Sequence, residues 1–343
     1  MNNTYFKSTV ANPYSTSVVP SIDGFGDTGL DWTVSKRPLY TCDDATGLYR
    51  PMTSHVSIHR DDLDRSIGCV GSGYSTIQNE TIYNGFRAAV QELPVQIIGS
   101  GYTNGGARVF IQADFGGDSS SFRINGDEFK NYVTLYSSHD GSSAFELFDS
   151  SIRVICRNTL QLARTRGGQL FKLRVRHTVN SALQFTNVMQ AFEQMIDARR
   201  GVVRNLERVA EVAMTRTEME RFATGFFIVG DELTTRTSNR TAEIVDKAFF
   251  GMGNRGQTAY DLLNGITEVL THGQDNTRKD RDAIWLSSEF GQASAQKGRA
   301  LDALVQEFYG PSNVRGMFTE RGRELIASGK TSIKAPQLVG INN

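Results

Sequence analysis

At 343 residues, 39% of them hydrophobic, the chain is too long for one small core and apolar enough to fill one large or two modest ones. Seven prolines among 33 glycines exclude a proline-rich scaffold, and no apolar run approaches the roughly 20 residues that cross a bilayer. The formal charge is zero but unevenly spread: residues 1–150 hold 10 Lys and Arg against 17 Asp and Glu, whereas residues 151–210 hold 11 against 3. A neutral total therefore hides a local basic segment.

Residues 1–30 are polar, rich in Ser, Thr, Asn and Gly, and are expected to form a flexible arm or a segment ordered by a partner. Their opening, MNNTYFKSTVANPYS, lacks the charged start and apolar stretch of a secretory signal. The pattern turns strand-like at DWTVSKRPLY. In HVSIHRDDLDRSIGCVG, apolar Val56 and Ile58, then Ile67 and Val70, flank DDLD as a β-hairpin. Ile82, Phe86, Ala89, Val90 and Leu93 recur at helical spacing before Pro94. VQIIGSGYTNGGARVFIQADF reads as a second hairpin turning at Asn104-Gly105-Gly106, and EFKNYVTLYSSHDGSSAFELF as a strand pair turning at Asp140-Gly141. SSIRVICRNTLQLARTR begins extended, and FKLRVRHTV alternates Phe171, Leu173 and Val175 against Lys172, Arg174 and Arg176, a strand with one basic face.

From Ser181 the period becomes helical. Leu183, Val188, Phe192, Met195 and Ile196, then Val202, Val203, Leu206, Val209, Val212 and Ala213, make one stripe that Gly201 would interrupt. Arg199, Arg200, Arg204 and Arg208 fall on its outer face, and Thr217 with Glu220 suits a capping box. TAEIVDKAFF, GQTAYDLLNGITEVLTHG and RALDALVQEFYG continue the helices, with Gly273 and Gly310 placed as end caps. The expected class is α+β: an antiparallel sheet of hairpins with a hairpin–helix–hairpin core over 31–180, a helical region over 181–310 and a peripheral tail over 311–343.

The densest chemical signal is cationic. Arg153, Arg157, Arg164, Arg166, Lys172, Arg174 and Arg176 occupy 24 residues that contain no Asp or Glu. Guanidinium groups stay charged and bind phosphate through paired hydrogen bonds. Along a strand, alternate residues point the same way about 7 Å apart, near one phosphate step of an extended single strand. A solvated face, or pairing with the acidic N-terminal half, is the competing reading. Tyr74, Tyr102 and Tyr136 lie in or near glycine-rich loops, where rings stack on bases if exposed and anchor turns if not.

Other candidates are weaker. Asp61, Asp62 and Asp64 crowd a hairpin tip, where Asp is favoured for backbone reasons. His55 and His59 share a strand face about 13 Å apart, too far for one metal. His139, Asp140 and His177 are the candidates for a polar enzyme-like or regulatory site. GMGNRG at 251–256 follows a helical run rather than a strand, and SGKT at 328–331 lacks the upstream glycine of a phosphate loop. No cofactor and no metal are implied. Cys42, Cys69 and Cys156 are too scattered for a disulfide framework; Cys69 and Cys156 are expected to be buried, and a reducing, cytoplasmic setting fits.

The strings IGCVGSGYSTIQN, GGARVFIQA, SSHDGSSA, IRVICRNTLQLA, RVRHT and LLNGITEVLTHG, in that order, resemble the phage- and plasmid-like family catalogued as domain of unknown function 932. The resemblance spans about residues 30–310, carries no activity, and implies a mobile element in a bacterial host. The hairpin–helix–hairpin order is also similar to the core of single-strand annealing proteins of the Erf and Redβ kind. Together these readings anticipate a single-stranded nucleic-acid-binding protein rather than an enzyme, acting in recombination or replication, with homo-oligomers formed by pairing acidic and basic surfaces.

Overall fold

The computed structural model describes residues 5–8, 22–91, 95–115, 121–143, 145–153, 159–160, 173–175, 188–228, 233–272, 288 and 292–328. The strands are β1 (Tyr5–Ser8), β2 (Val34–Cys42), β3 (Tyr49–Arg60), β4 (Arg65–Gly71), β5 (Val95–Thr103), β6 (Arg108–Phe115), β7 (Ser121–Ile124), β8 (Asp127–Ser138), β9 (Phe145–Arg153), β10 (Thr159–Leu160) and β11 (Leu173–Val175). The helices are α1 (Asn79–Val90), α2 (Val188–Ala210), α3 (Arg216–Phe227), α4 (Thr235–Phe250), α5 (Ala259–His272), α6 (Gln292–Tyr309) and α7 (Met317–Ala327). Strands precede helices apart from α1, so the fold is α+β. The chain divides into two compact units: Met1–Ser121, Asn131–Ser150 and Gln169–Ala198 form the first, and Phe122–Lys130, Ser151–Gly168 and Arg199–Asn343 the second. This partition interleaves the segments, where the sequence suggests one boundary near residue 180.

In the first unit β2-β3-β4 form one antiparallel sheet, and β1-β5-β6-β8-β9 another, with β11 beside β9. The two expected hairpins turn where short polar residues accept left-handed backbone: Asp64 at φ 45°, and Asn104 and Gly105 at φ 52° and 69°. Between them, α1 buries Ile82, Tyr83, Phe86 and Val90 against Ile58, Ile111 and Val133. Each such side chain contributes about 1.5–3 kcal/mol.

The N-terminal end of α1 is joined to the chain ahead of β2. Gln78 exchanges two hydrogen bonds with the Val34 backbone, accepting its N–H at 3.0 Å and donating to its carbonyl at 2.8 Å. Asn79 donates to the Leu30 and Trp32 carbonyls. Ile22, Leu30 and Trp32 are buried in the same core, and β1 pairs with β5. Of residues 1–30, the described stretches are Tyr5–Ser8, a strand beside β5, and 22–30, which places Ile22 and Leu30 in the core.

Two hairpins escaped the sequence reading. β7 turns into β8 through Asn125 and Gly126, both left-handed at φ 51° and 87°, as a tight two-residue hairpin loop requires. β2 turns into β3 through Asp43–Leu48, where the Asp43 carboxylate accepts the Ala45 and Thr46 N–H groups.

In the second unit α5 is buried from Ala259 to Thr271, the condition of a helix surrounded by others. Around it gather Val202, Leu206 and Val209 of α2, Met219 and Phe222 of α3, Ile244 and Val245 of α4, and Leu301 and Leu304 of α6. Ile124 and Phe129 of the β7–β8 hairpin join this core. Gly201 sits inside α2 without interrupting it, and Arg199 is buried while Arg200, Arg204 and Arg208 are exposed. The capping box uses Thr215 and Glu218, two residues before the expected pair. Within the stretch 311–343, α7 crosses α3 at a paired glycine contact, Gly225 against the Phe318 carbonyl and Gly322 against that of Arg221.

Candidate nucleic-acid interface

The cationic stretch enters the structure in the larger sheet. Arg153 is the last residue of β9, and Arg174 is the middle residue of β11, in register with Glu146 of β9. β9 also pairs with β8, and among the described residues β11 has β9 as its strand partner. Arg157, Arg164, Arg166, Lys172 and Arg176 lie outside the described residues, as do His177 and Cys156.

The tyrosines chosen from their glycine-rich surroundings are anchored. Tyr74 is half-buried and donates its hydroxyl to the Ser138 carbonyl at 2.8 Å; burial, aided by Asp140, pushes its pKa well above the ordinary phenol value. Tyr136 is buried in β8. Tyr102 is covered by a guanidinium: Arg60 lies 4.4 Å over its ring and 4.2 Å over that of Trp32. Arg60 is held from its other side by Asp62 (2.8 and 2.9 Å) and by the Gly105 carbonyl at 3.3 Å. Gly106, at φ 110°, makes room for this stack, because a Cβ there would fall 2.9 Å from Trp32 and 3.1 Å from Arg60. Arg60 is a structural cation.

The acidic hairpin tip is equally committed. Asp61 accepts the Thr33 and Ser35 hydroxyls at 2.7 and 2.5 Å, Asp62 holds Arg60, and Asp64 pairs with Arg37 at 2.5 Å. The Ser35 and Thr33 bonds hold the Asp61 carboxyl below its ordinary value. Among the described residues no three His, Cys, Asp or Glu side chains gather as a metal site.

His139 is fully buried, within 2.9 Å of the Asn79 amide oxygen and edge-on to Trp32 at 5.6 Å. These are the contacts of a core histidine. Asp140 accepts the Ser142 N–H at 2.9 Å within its own turn. The loop over 251–256 cannot cradle phosphate with the donors leading into α5: the N–H groups of Arg255, Gln257 and Thr258 all donate to the Asp261 carboxylate at 3.0–3.1 Å. Cys69 is exposed, not buried, as is Cys42.

What the sequence reading missed is the distal half of the β2–β3 ribbon. Tyr40 lies opposite Pro51 and Cys42 opposite Tyr49, which places all four on one face of the ribbon. Tyr40 is 57% exposed and Tyr49 73%. Diagonal cross-strand neighbours such as these two stand about 7–8 Å apart. Arg50, exposed between Tyr49 and Pro51, faces the opposite side. The signal was present: an Asp-Asp-Ala-Thr-Gly turn flanked by tyrosine-bearing extended runs.

A family model described as Domain of unknown function (DUF932) matches residues 66–290. No curated protein and no solved structure matches the chain.

Proposed function

The chain belongs to the DUF932 family, a domain of unknown function, and on that footing we propose that it binds single-stranded nucleic acid and promotes pairing of complementary strands. The observation that carries this reading is the stretch Arg153–Arg176, seven cations in 24 residues with no Asp or Glu. Such a stretch neutralises successive phosphates and releases their counterions, a sequence-independent source of affinity. The alternation Lys172, Arg174 and Arg176 supports it, because along a strand these three side chains point the same way about 7 Å apart.

Bases stack on exposed aromatic rings with little regard to sequence. Tyr40 and Tyr49 take this role, in place of the anchored Tyr74 and Tyr102. A strand held by its phosphates with its bases splayed is ready to meet its complement, and annealing then consumes no nucleotide. Recombination or replication of a phage or plasmid is the setting this activity fits. The acidic N-terminal half and the basic stretch are complementary, so copies of the chain associate head to tail along the bound strand.

The test is an electrophoretic shift with short single strands, followed by fluorescence energy transfer between complementary labelled strands without nucleotide. Binding of single strands in preference to duplex, with faster pairing, is the expected result. No shift at moderate salt would remove the reading.

A further inference from the structure

The distal half of the β2–β3 ribbon keeps an unbroken register, from Leu39 opposite Met52 to Cys42 opposite Tyr49. Alternation therefore puts Tyr40, Cys42, Tyr49 and Pro51 on one face and Arg50 on the other. Tyr40 and Tyr49 are both exposed and are diagonal neighbours, about 7–8 Å apart. Strand side chains stand roughly perpendicular to their sheet, so both rings rise from the same face on either side of that gap. Stacked bases follow one another at about 3.4 Å, so two rings holding one base between them lie about 6.8 Å apart. The spacing of the two tyrosines matches that of rings with a single base between them.

Charge and area narrow the occupant. The four residues on this face carry no charge, and the adjoining turn holds Asp43, whose carboxylate accepts the Ala45 and Thr46 N–H groups, and exposed Asp44. A phosphate would meet carboxylates there, whereas a neutral, flat base meets two rings. A second copy of the chain needs more surface. An aromatic side chain buries at most about 150–250 Å², so two of them, even with exposed Leu48 of the turn, fall short of the about 800 Å² per partner of a stable interface. Pro38 on β2 and Pro51 on β3 each remove a backbone donor, the device by which exposed strands resist the addition of another strand.

We propose that Tyr40 and Tyr49 form a clamp that holds one unpaired base between their rings, an inference that rests on the strand-binding reading and deepens it. A base within a duplex is already paired and stacked on both sides, and drawing it out costs a few kcal/mol. A base of a single strand enters at much lower cost. The clamp therefore supplies a preference for single strands, which phosphate contacts alone do not, because a duplex offers phosphates too.

The test uses the full chain and fluorescence anisotropy with two labelled strands, one wholly abasic and one abasic except for a single central adenine. The one base strengthens wild-type binding by about tenfold. Tyr40→Ser and Tyr49→Ser each remove most of that gain, because the base needs both rings. Two independent platforms would let either ring serve, and each single variant would keep about half of the gain. Tyr40→Phe and Tyr49→Phe retain the rings and the gain. A gain that survives in both serine variants or is lost in both phenylalanine variants would overturn the proposal. So would smaller species of the double serine variant in sedimentation, which would give the face to a second copy. If the wild type binds an unmodified strand with the expected salt dependence and the single base adds nothing, the clamp alone fails. If it binds no strand at all, the strand-binding reading fails with it.

Discussion

Gly322→Ala and Gly201→Ala make the same chemical change in two helices and should act in opposite directions. At Gly322 of α7 an added Cβ would overlap the Arg221 carbonyl oxygen outright and come within 2.6 Å of its carbon and 2.9 Å of Arg221 Cα. Real Cβ contacts essentially never fall under 3.0 Å, and the obstacle is α3 backbone, which no rotamer change can move. The two helices must part by on the order of 1 Å, a repacking that costs about 1–3 kcal/mol or more. Alanine recovers about 1 kcal/mol of helix propensity; because the clash is with backbone, the repacking cost falls at the upper end of that range and the net effect is a loss of about 2 kcal/mol. At Gly201 of α2 nothing lies within 4 Å of the new Cβ. Only the propensity gain remains, and stability should rise by about 0.5–1 kcal/mol. Urea unfolding followed by far-ultraviolet circular dichroism reads both. A Gly322→Ala protein as stable as wild type would refute the α3–α7 packing and return α7 to the status of a loose tail.

Two further outcomes follow from named contacts. Glu218 is held below the ordinary glutamate value of 4.5, first by the Thr215 N–H and then by its hydroxyl. Its stabilisation is complete above that value and lost as pH falls through the depressed one; Glu218→Gln should flatten this acid limb in thermal melts, and Thr215→Ala should cost about 1 kcal/mol at neutral pH. Tyr49→Ser, at a ring 73% exposed, should leave the unfolding midpoint in place and weaken single-strand binding by about tenfold, read by fluorescence anisotropy. Unchanged affinity would mean that the ribbon face takes no part in stacking.

The elements legible in the sequence were those whose determinants are local. The turns at Asp61–Asp64 and Asn104–Gly106 announce themselves because Asn, Asp and Gly tolerate left-handed backbone. Asn125-Gly126 carried the same signal. Side-chain roles were harder because they rest on distant partners. Nothing near Tyr74 reveals that its hydroxyl meets a carbonyl 64 positions away, and nothing near Arg60 reveals a seat between Trp32 and Tyr102. The capping box was misplaced by two residues because Thr215-x-x-Glu218 and Thr217-x-x-Glu220 satisfy the same pattern, and the start of α3 decides between them.

The salt dependence of single-strand binding tests the central claim most directly. If about five side chains of the Arg153–Arg176 stretch contact phosphate, the slope of log affinity against log salt should be about −3.5, at roughly −0.7 per contact. Replacing Arg164, Arg166, Arg174 and Arg176 by Ala leaves one to three of those contacts and should bring it to between about −0.7 and −2.1. A flat dependence in the wild-type protein, or an unaltered slope in the fourfold variant, would contradict the account.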